Sequence, residues 1–358
     1  MSINQNNFII YSKIAFELAK INLGSTGSNP SVGCVIEKNG TVLSSGYTSL
    51  NGRPHAEFNA LNKKLNFKDS NMYVSLEPCS HFGVTPPCTT NIIKKGIKKV
   101  FYSLKDYDLR SKGNAKKIFS EKKIFSCGGQ LASYAKLFYK SYYLKKKGHL
   151  PLIDFKIAIS GDYYTKSLNR KDITNEHSRK RVHLLRSYYD CILSTSKTIN
   201  EDNSLLNCRI NGLENKSPNV VIIDRKLRIK KKLDIFKRKT RTIYLFTATT
   251  NKDKEKFLKS KGVKVIFINK MHDMKDYKDL FVRLNKMGFS RIFVESGVSF
   301  FKFLYKFNFI NTLFVFKSKK KLNKSGKYLF KKNIMKINNC KKIKVNLFND
   351  LLYRINIK

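Results

Sequence analysis

Six short apolar runs, "CILST", "VVIID", "TIYLFTA", "VKVIFI", "RIFVES" and "TLFVFK", recur through the second half of the chain with helical or loop segments between them. Runs of this length, rich in β-branched and aromatic residues, favour extended backbone. Their alternation with helical segments predicts an α/β sheet domain. The first half carries a related pattern. "FIIYSKIAFELAK" has apolar positions at helical spacing and predicts an opening amphipathic helix. "VGCVIE", then Asn39 and Gly40, then "TVLSSGY" predicts a hairpin, because Asn followed by Gly accepts the positive φ values of a tight primed turn. A helix over about 55–65, the strand "MYVSL", a short helix "TTNIIKK" closed by Gly96 and the strand "KKVFYSL" complete a second α/β layer.

The pattern restarts after "YYLKKKGHLPLIDFKIAIS", where charge, Gly and Pro cluster. A chain of 358 residues is long enough for two such domains, each with its own core. The boundary is therefore placed near Gly148, giving domains 1–147 and 148–358. No basic start followed by an apolar stretch opens the chain, and nowhere do about 18 apolar residues run together, so a cytoplasmic protein with no membrane partner is expected. Seven cysteines form an odd set, which points to reduced thiols or metal ligands rather than a disulfide framework.

The balance of 72 Lys and Arg against 25 Asp and Glu, a formal charge of +47, would attract any polyanion. The basic residues are spread through all predicted elements and accompany no recognisable nucleic-acid motif. They read as a solvated surface, and a nucleic-acid partner is not expected.

Chemistry concentrates in two stretches, "GRPHAEFNAL" and "LEPCSHFGVTPPC". A catalytic zinc takes three protein ligands and keeps a fourth position for water. His55, Cys79 and Cys88 supply such a set. The metal would lower the pKa of its water, and Glu57 could accept and redeliver the proton. Residues i and i+2 of a regular helix point about 200° apart, so His55 and Glu57 share a site only if His55 lies at an irregular helix entry after Pro54. His-x-Glu followed by Pro-Cys is also the signature of zinc deaminases, although here eight residues separate the two cysteines instead of two. The other cysteines, Cys34, Cys127, Cys191, Cys208 and Cys340, read as packing residues.

"SNPSVGCVI", "GRPHAEFNAL" and "LEPCSHFGVTPPC" together resemble the deaminase half of the bifunctional riboflavin-biosynthesis deaminase–reductase family. That resemblance implies a cytidine-deaminase-like α/β/α domain, with Asn29 and His81 facing the pyrimidine. The second half has no Gly-x-Gly-x-x-Gly loop, so a Rossmann domain is not supported. "KIAIS", "ITNEHSRKRVHLLR", "DCILSTSKTINEDNSLLNCR" and "VESGVSFFKFL" are similar to the reductase half of the same family, which implies a dihydrofolate-reductase-like fold using NADPH. Carried over residue by residue, Arg186, Leu206, Arg209 and Glu295 would contact the sugar phosphate. Ala158, Thr198, Asp202 and the turn of Gly297, Val298 and Ser299 would contact the cofactor. Lys156 is placed near the reacting sugar, against the alternative of a strand lysine whose stem covers apolar surface.

The chain departs from the family's pattern at several positions. Val84 replaces a basic residue, and "DYDL" at 106–109 replaces Asp-Pro-Asn-Pro. Gly161, Asp162 and Tyr163 follow "KIAIS" in place of Leu-Asp-Gly. Arg170, Lys171 and Asp172 replace a Ser-x-Trp, and Ser204 replaces a proline.

The expected function is deamination of a phosphorylated diaminopyrimidine followed by NADPH-dependent reduction of its ribosyl group to ribityl. The alternatives are a deaminase with a decayed reductase half, and a zinc-stabilised basic nucleic-acid binder. Oligomeric state is left open, a homo-oligomer included.

Overall fold

The computed structural model describes residues 5–169, 172–237, 241–336 and 339–358. Arg170 and Lys171 lie outside the described residues. The chain divides into two compact units, Met1–His149 and Leu150–Lys358.

The first unit contains α1 (Gln5–Ile21), β1 (Gly33–Lys38), β2 (Thr41–Tyr47), α2 (Ala56–Leu61), β3 (Asn71–Val74), α3 (Cys88–Lys94), β4 (Lys99–Tyr102), α4 (Asn114–Glu121), β5 (Phe125–Gly128), α5 (Ala132–Phe138) and α6 (Lys140–Lys146). The sheet order is β2-β1-β3-β4-β5, antiparallel through the first three strands and parallel from β3 onward. Asn39 and Gly40 both adopt positive φ, 52° and 85°, as the predicted primed turn requires. Cys34, Ile36, Met72, Val74 and Val100 of the strands pack with Phe16, Ala60 and Phe119 of the helices.

Gly46 on β2 is a point of close approach. A Cβ there would overlap the Ala56 carbonyl oxygen and the Ala60 amide, so the missing side chain lets α2 lie against the sheet. Two further bonds hold that helix down: Ser44 Oγ donates to the Ala60 carbonyl at 2.7 Å, and Asn59 Nδ2 donates to the Tyr47 carbonyl at 2.8 Å. The helix ends at Leu61, four residues earlier than the pattern predicts.

The second unit contains β6 (Leu152–Ile159), β7 (Tyr164–Ser167), α7 (Glu176–Arg186), β8 (Cys191–Thr195), α8 (Ser196–Asp202), β9 (Asn219–Ile223), β10 (Ile243–Thr247), α9 (Lys252–Ser260), β11 (Val263–Phe267), α10 (Met274–Lys286), β12 (Arg291–Glu295), α11 (Val298–Lys306), β13 (Thr312–Lys317), β14 (Gly326–Leu329), β15 (Cys340–Lys342) and β16 (Leu351–Asn356). Its main sheet runs β11-β10-β9-β8-β12-β6-β13-β16-β15. The seven strands from β11 to β13 are parallel, and β16 and β15 close the far edge antiparallel.

Successive residues of one strand enter opposite cores. Ile292 and Val294 belong to one cluster and Phe293 to the other; Val221 and Ile223 oppose Val220 and Ile222. Burial on both faces is why these strands read as unbroken apolar runs. The strand order changes direction between β8 and β12. β8 leads through α8 to β9 on one side, whereas β12 leads through α11 to β13 on the other. Ligands of open parallel sheets bind outside the carboxyl ends of the strands at such a point.

Candidate functional site

His55 is the N-cap of α2 and holds extended backbone, φ −71° and ψ 161°. It therefore lies at the irregular helix entry that joint action with Glu57 demands. Glu57 follows in the first turn and is buried. Cys79 comes from the loop leaving β3, and Cys88 is the first residue of α3, where its amide donates to Cys79 Sγ at 3.3 Å. The ligand atoms of His55, Cys79 and Cys88 lie within 4.8 Å of one another. His55 Nδ1 stands 3.6 Å from Cys79 Sγ and 3.4 Å from Cys88 Sγ. Bonds of about 2.3 Å to sulfur and 2.05 Å to nitrogen at a tetrahedral angle place N and S about 3.6 Å apart. The three side chains fit a zinc ion without rearrangement.

The electrostatics suit that reading. A hydrogen bond from the Cys88 thiol, more than any other factor, holds Cys79 down at about 4, while Cys88 is pushed well above the ordinary thiol range. The contact between the two sulfurs favours a thiolate on Cys79, and a metal bound here would replace the proton on Cys88. Burial first, and the Cys79 charge second, raise the Glu57 carboxyl to about 7, in the range where a group both accepts and returns a proton.

His55, Glu57 and Cys79 line a cleft of about 580 Å³, the open solvent at its mouth included. Asn29 and His81 both line it. Asn29 Nδ2 donates to the Gly52 carbonyl at 2.9 Å, which leaves its amide oxygen for a ligand. His81 Nδ1 pairs with Ser111 Oγ at 2.6 Å. Val84 is 85 % exposed and does not line the cleft. The "DYDL" segment does. Asp106 accepts from the Asp108 amide at 3.0 Å and from Tyr142 Oη at 2.9 Å, and Asp108 pairs with Arg110 and Lys146. Glu77 is buried and its carboxylate gathers the amides of Asp106, Gly113 and Ala115, fixing this wall. Arg53, Arg110 and Lys146 also line the cleft. Sequence reasoning missed all three; in so basic a chain no local signal separates them from surface lysines and arginines.

In the second unit, the switch point between β8 and β12 carries a cluster of hydroxyls. Thr195 Oγ1 lies 3.1 Å from Thr198 Oγ1 and 3.0 Å from Ser296 Oγ, and Thr198 Oγ1 accepts from the Gly297 amide at 3.2 Å. Gly297 is the N-cap of α11, so the amides of Val298 and Ser299 open that helix beside the hydroxyls. A helix entry with a glycine backbone and hydroxyl donors fits a dinucleotide's phosphates. Ala158 lies near the carboxyl end of β6 and Asp202 at the carboxyl end of α8.

Glu295 is the Cα partner of Lys156 across β12 and β6, so the two side chains share a face. Glu295 receives both sides of the Arg186 fork, Nε at 2.6 Å and Nη2 at 3.0 Å. Arg186 Nη1 donates to the Asn207 carbonyl at 2.9 Å. Arg186 is thus committed inside the protein and orients Glu295 and the 206–209 loop. Leu206 is buried in the core with its carbonyl accepting from Arg241. Arg209 Nη1 donates to Asn207 Oδ1 at 2.8 Å. Burial lowers the Lys156 ammonium, with Glu295 opposing the shift. Among the departures, Asp162 accepts from the Leu322 and Asn323 amides and staples a turn. Tyr163 lies under the Lys317 ammonium, 4.1 Å from ring centre to Nζ. Asp172 pairs with Arg179 at 3.5 Å.

Two family models match the chain: the cytidine and deoxycytidylate deaminase zinc-binding region over residues 9–104, and the RibD C-terminal domain over residues 151–345. The riboflavin biosynthesis protein RibD of Buchnera aphidicola subsp. Baizongia pistaciae is 33% identical over 90% of this chain and 90% of its own length. A diaminohydroxyphosphoribosylamino-pyrimidine deaminase of Buchnera aphidicola subsp. Acyrthosiphon pisum is 38% identical over 40% of this chain and 99% of its own. The crystal structure of the deaminase/5-amino-6-(5-phosphoribosylamino)uracil reductase of Thermotoga maritima superimposes with a TM-score of 0.82 at 25% identity, covering 99% of both chains. Both units of the chain are thus matched together in relatives along almost their whole length. The chain belongs to the RibD family of riboflavin biosynthesis, whose members join a zinc-dependent pyrimidine deaminase to an NADPH-dependent ribosyl-to-ribityl reductase.

Proposed function

We propose that Met1–His149 deaminates 2,5-diamino-6-(5-phosphoribosylamino)pyrimidin-4-one, that Leu150–Lys358 reduces the ribosyl group of the product, and that named residues of each unit do the work. The observation that carries the first assignment is the closure of His55, Cys79 and Cys88 to tetrahedral spacing beside buried Glu57. Zinc on those three ligands supplies the Lewis acidity that makes water a nucleophile near neutral pH. Asn29 and His81 hold the pyrimidine edge against it. Glu57 takes a proton from the attacking water on a carboxylate oxygen and delivers it to the departing amino nitrogen, and the proton left on the new hydroxyl passes to the adjacent ring nitrogen, so that the amino-bearing carbon becomes a carbonyl and ammonia leaves.

In the second unit NADPH, when bound, supplies hydride. The Thr198 hydroxyl, with the Gly297, Val298 and Ser299 turn, binds the dinucleotide phosphates, with Ala158 and Asp202 alongside. Lys156, Glu295 and Arg209 bind the sugar phosphate chain, and Leu206 shapes its loop. Arg186 is a positioning residue that fixes the Glu295 carboxylate. All seven cysteines are unpaired, which suits a reducing, cytoplasmic setting.

Glu57→Gln tests the first assignment: full zinc by elemental analysis with no ammonia release is expected, and undiminished ammonia release would sink the shuttle role. NADPH absorbance followed on the same sample tests the second, and sedimentation tests for a homo-oligomer.

A further inference from the structure

The deaminase cleft holds three cations, Arg53, Arg110 and Lys146, that take no part in the chemistry assigned to its floor. Arg110 and Lys146 converge on one carboxylate. Arg110 Nη2 lies 2.7 Å from Asp108 Oδ2 and its Nε 3.0 Å from Oδ1, while Lys146 Nζ lies 2.6 Å from Oδ2. Asp108 is 10 % exposed at the side chain, against 63 % for Arg110 and 31 % for Lys146. The anchor is buried and the cations face the opening. The Arg110 hydrogen bond above all, and then that of Lys146, holds the Asp108 carboxyl well below its usual range, so the anchor stays charged.

Neither cation is saturated by this carboxylate. Arg110 Nη1 has no acceptor among the described residues, and Lys146 spends one of the three donors an ammonium carries. One carboxylate under two cations leaves the Arg110–Asp108–Lys146 cluster a formal charge of +1, while the lining of the whole cleft also carries Arg53 and the carboxyl groups of Glu57, Glu77 and Asp106. A phosphate monoester carries about −1.5 to −2, opposite in sign to that cluster. An arginine fork with a free edge and a lysine point charge are complementary to such an oxyanion.

The geometry points to Arg110 and Lys146, oriented by Asp108, as the grip on the phosphate of the phosphoribosyl pyrimidine in the deaminase cleft, which makes this half select the phosphorylated substrate over its dephosphorylated counterpart. The inference rests on the deaminase reading above. It also accounts for the apolar, outward Val84: cations reach the cleft from α6 and the 106–110 segment instead.

The test compares ammonia release by the zinc-loaded full chain from the phosphorylated and the dephosphorylated pyrimidine, with inorganic phosphate as a competing probe. In the double variant Arg110→Gln, Lys146→Met, KM for the phosphorylated compound is expected to rise about ten- to hundredfold, the range of charge-assisted bonds. Its kcat and both constants for the dephosphorylated compound stay near the original values, and inhibition by phosphate weakens. Arg110→Gln alone, altering a mostly exposed side chain, gives a smaller rise confined to the phosphorylated compound and covers poor folding of the double variant. An equal effect on both compounds, or none, overturns the grip while leaving the deaminase standing. No ammonia from either compound with the unaltered chain would instead overturn the deaminase reading.

Discussion

Replacing Glu295 by Ala removes one partner of a buried ion pair whose two side chains are 10 % and 11 % exposed. The Arg186 fork loses bonds of 2.6 and 3.0 Å and keeps only its 2.9 Å bond to the Asn207 carbonyl and its contact with His183. A guanidinium cannot shed its charge, so it stays ionised in a dry site. Breaking such a pair from one side costs about 3–5 kcal/mol. Removing both partners together, as in Arg186→Met with Glu295→Leu, leaves no orphaned charge and costs less than either single change. The readout is amide hydrogen exchange of β8 and β12 peptides in the full chain, which reports local stability without requiring activity. Protection should fall by roughly two to three and a half orders of magnitude in Glu295→Ala. The pH sign follows from the same pair. Burial pushes the Glu295 carboxyl up, but the Arg186 charge and hydrogen bonds outweigh it and leave it below the usual value. Its contribution is therefore present above the unfolded pKa of about 4.3 and is lost as pH falls through the folded one. A loss under about 1 kcal/mol in Glu295→Ala, or a double variant less stable than both singles, would refute the reasoning.

Gly46→Ala should lift α2 from β2, because the new Cβ meets helix backbone that cannot move aside; about 1–3 kcal/mol of stability and much of the zinc affinity go with it, measured by thermal unfolding and metal titration. His183 is pressed down to about 4, first by burial and then by the Arg186 charge, while its Nδ1 pairs with the Asn207 carbonyl at 2.8 Å. Its imidazole resonances should titrate near that value in the folded chain. The unfolded chain binds the proton earlier, so stability is intact above pH about 6.5 and declines as pH falls toward the folded value. His183→Asn should flatten that part of the stability profile.

The zinc-fitting residues were legible because their geometry is set locally. Pro54 precedes an extended N-cap at His55, and Cys88 opens a helix behind Pro87, so the side-chain directions follow from short-range backbone rules. The hairpin at Asn39 and Gly40 and the six apolar runs were legible for the same reason. The outer strands β7, β14, β15 and β16 escaped notice. β16, "LLYRIN", mixes Arg and Asn into its apolar positions, and β15 is three residues long, so neither shows a clean period. The cations of the deaminase cleft were hidden by abundance: 72 Lys and Arg offer no local mark by which to choose Arg110 and Lys146.

The amino-acid pattern alone determined two α/β layers, a three-ligand metal set with its acid, and, through family likeness, a reductase half. Only the tertiary structure decided which distant groups meet. Arg186 finds Glu295 109 positions along the chain, and Lys146 finds Asp108 across 38. Alternating burial tells a strand which face is inward but names no neighbour. Strand order and helix docking choose the neighbours, and with them the ion pair in the reductase crevice and the charge on the cleft wall.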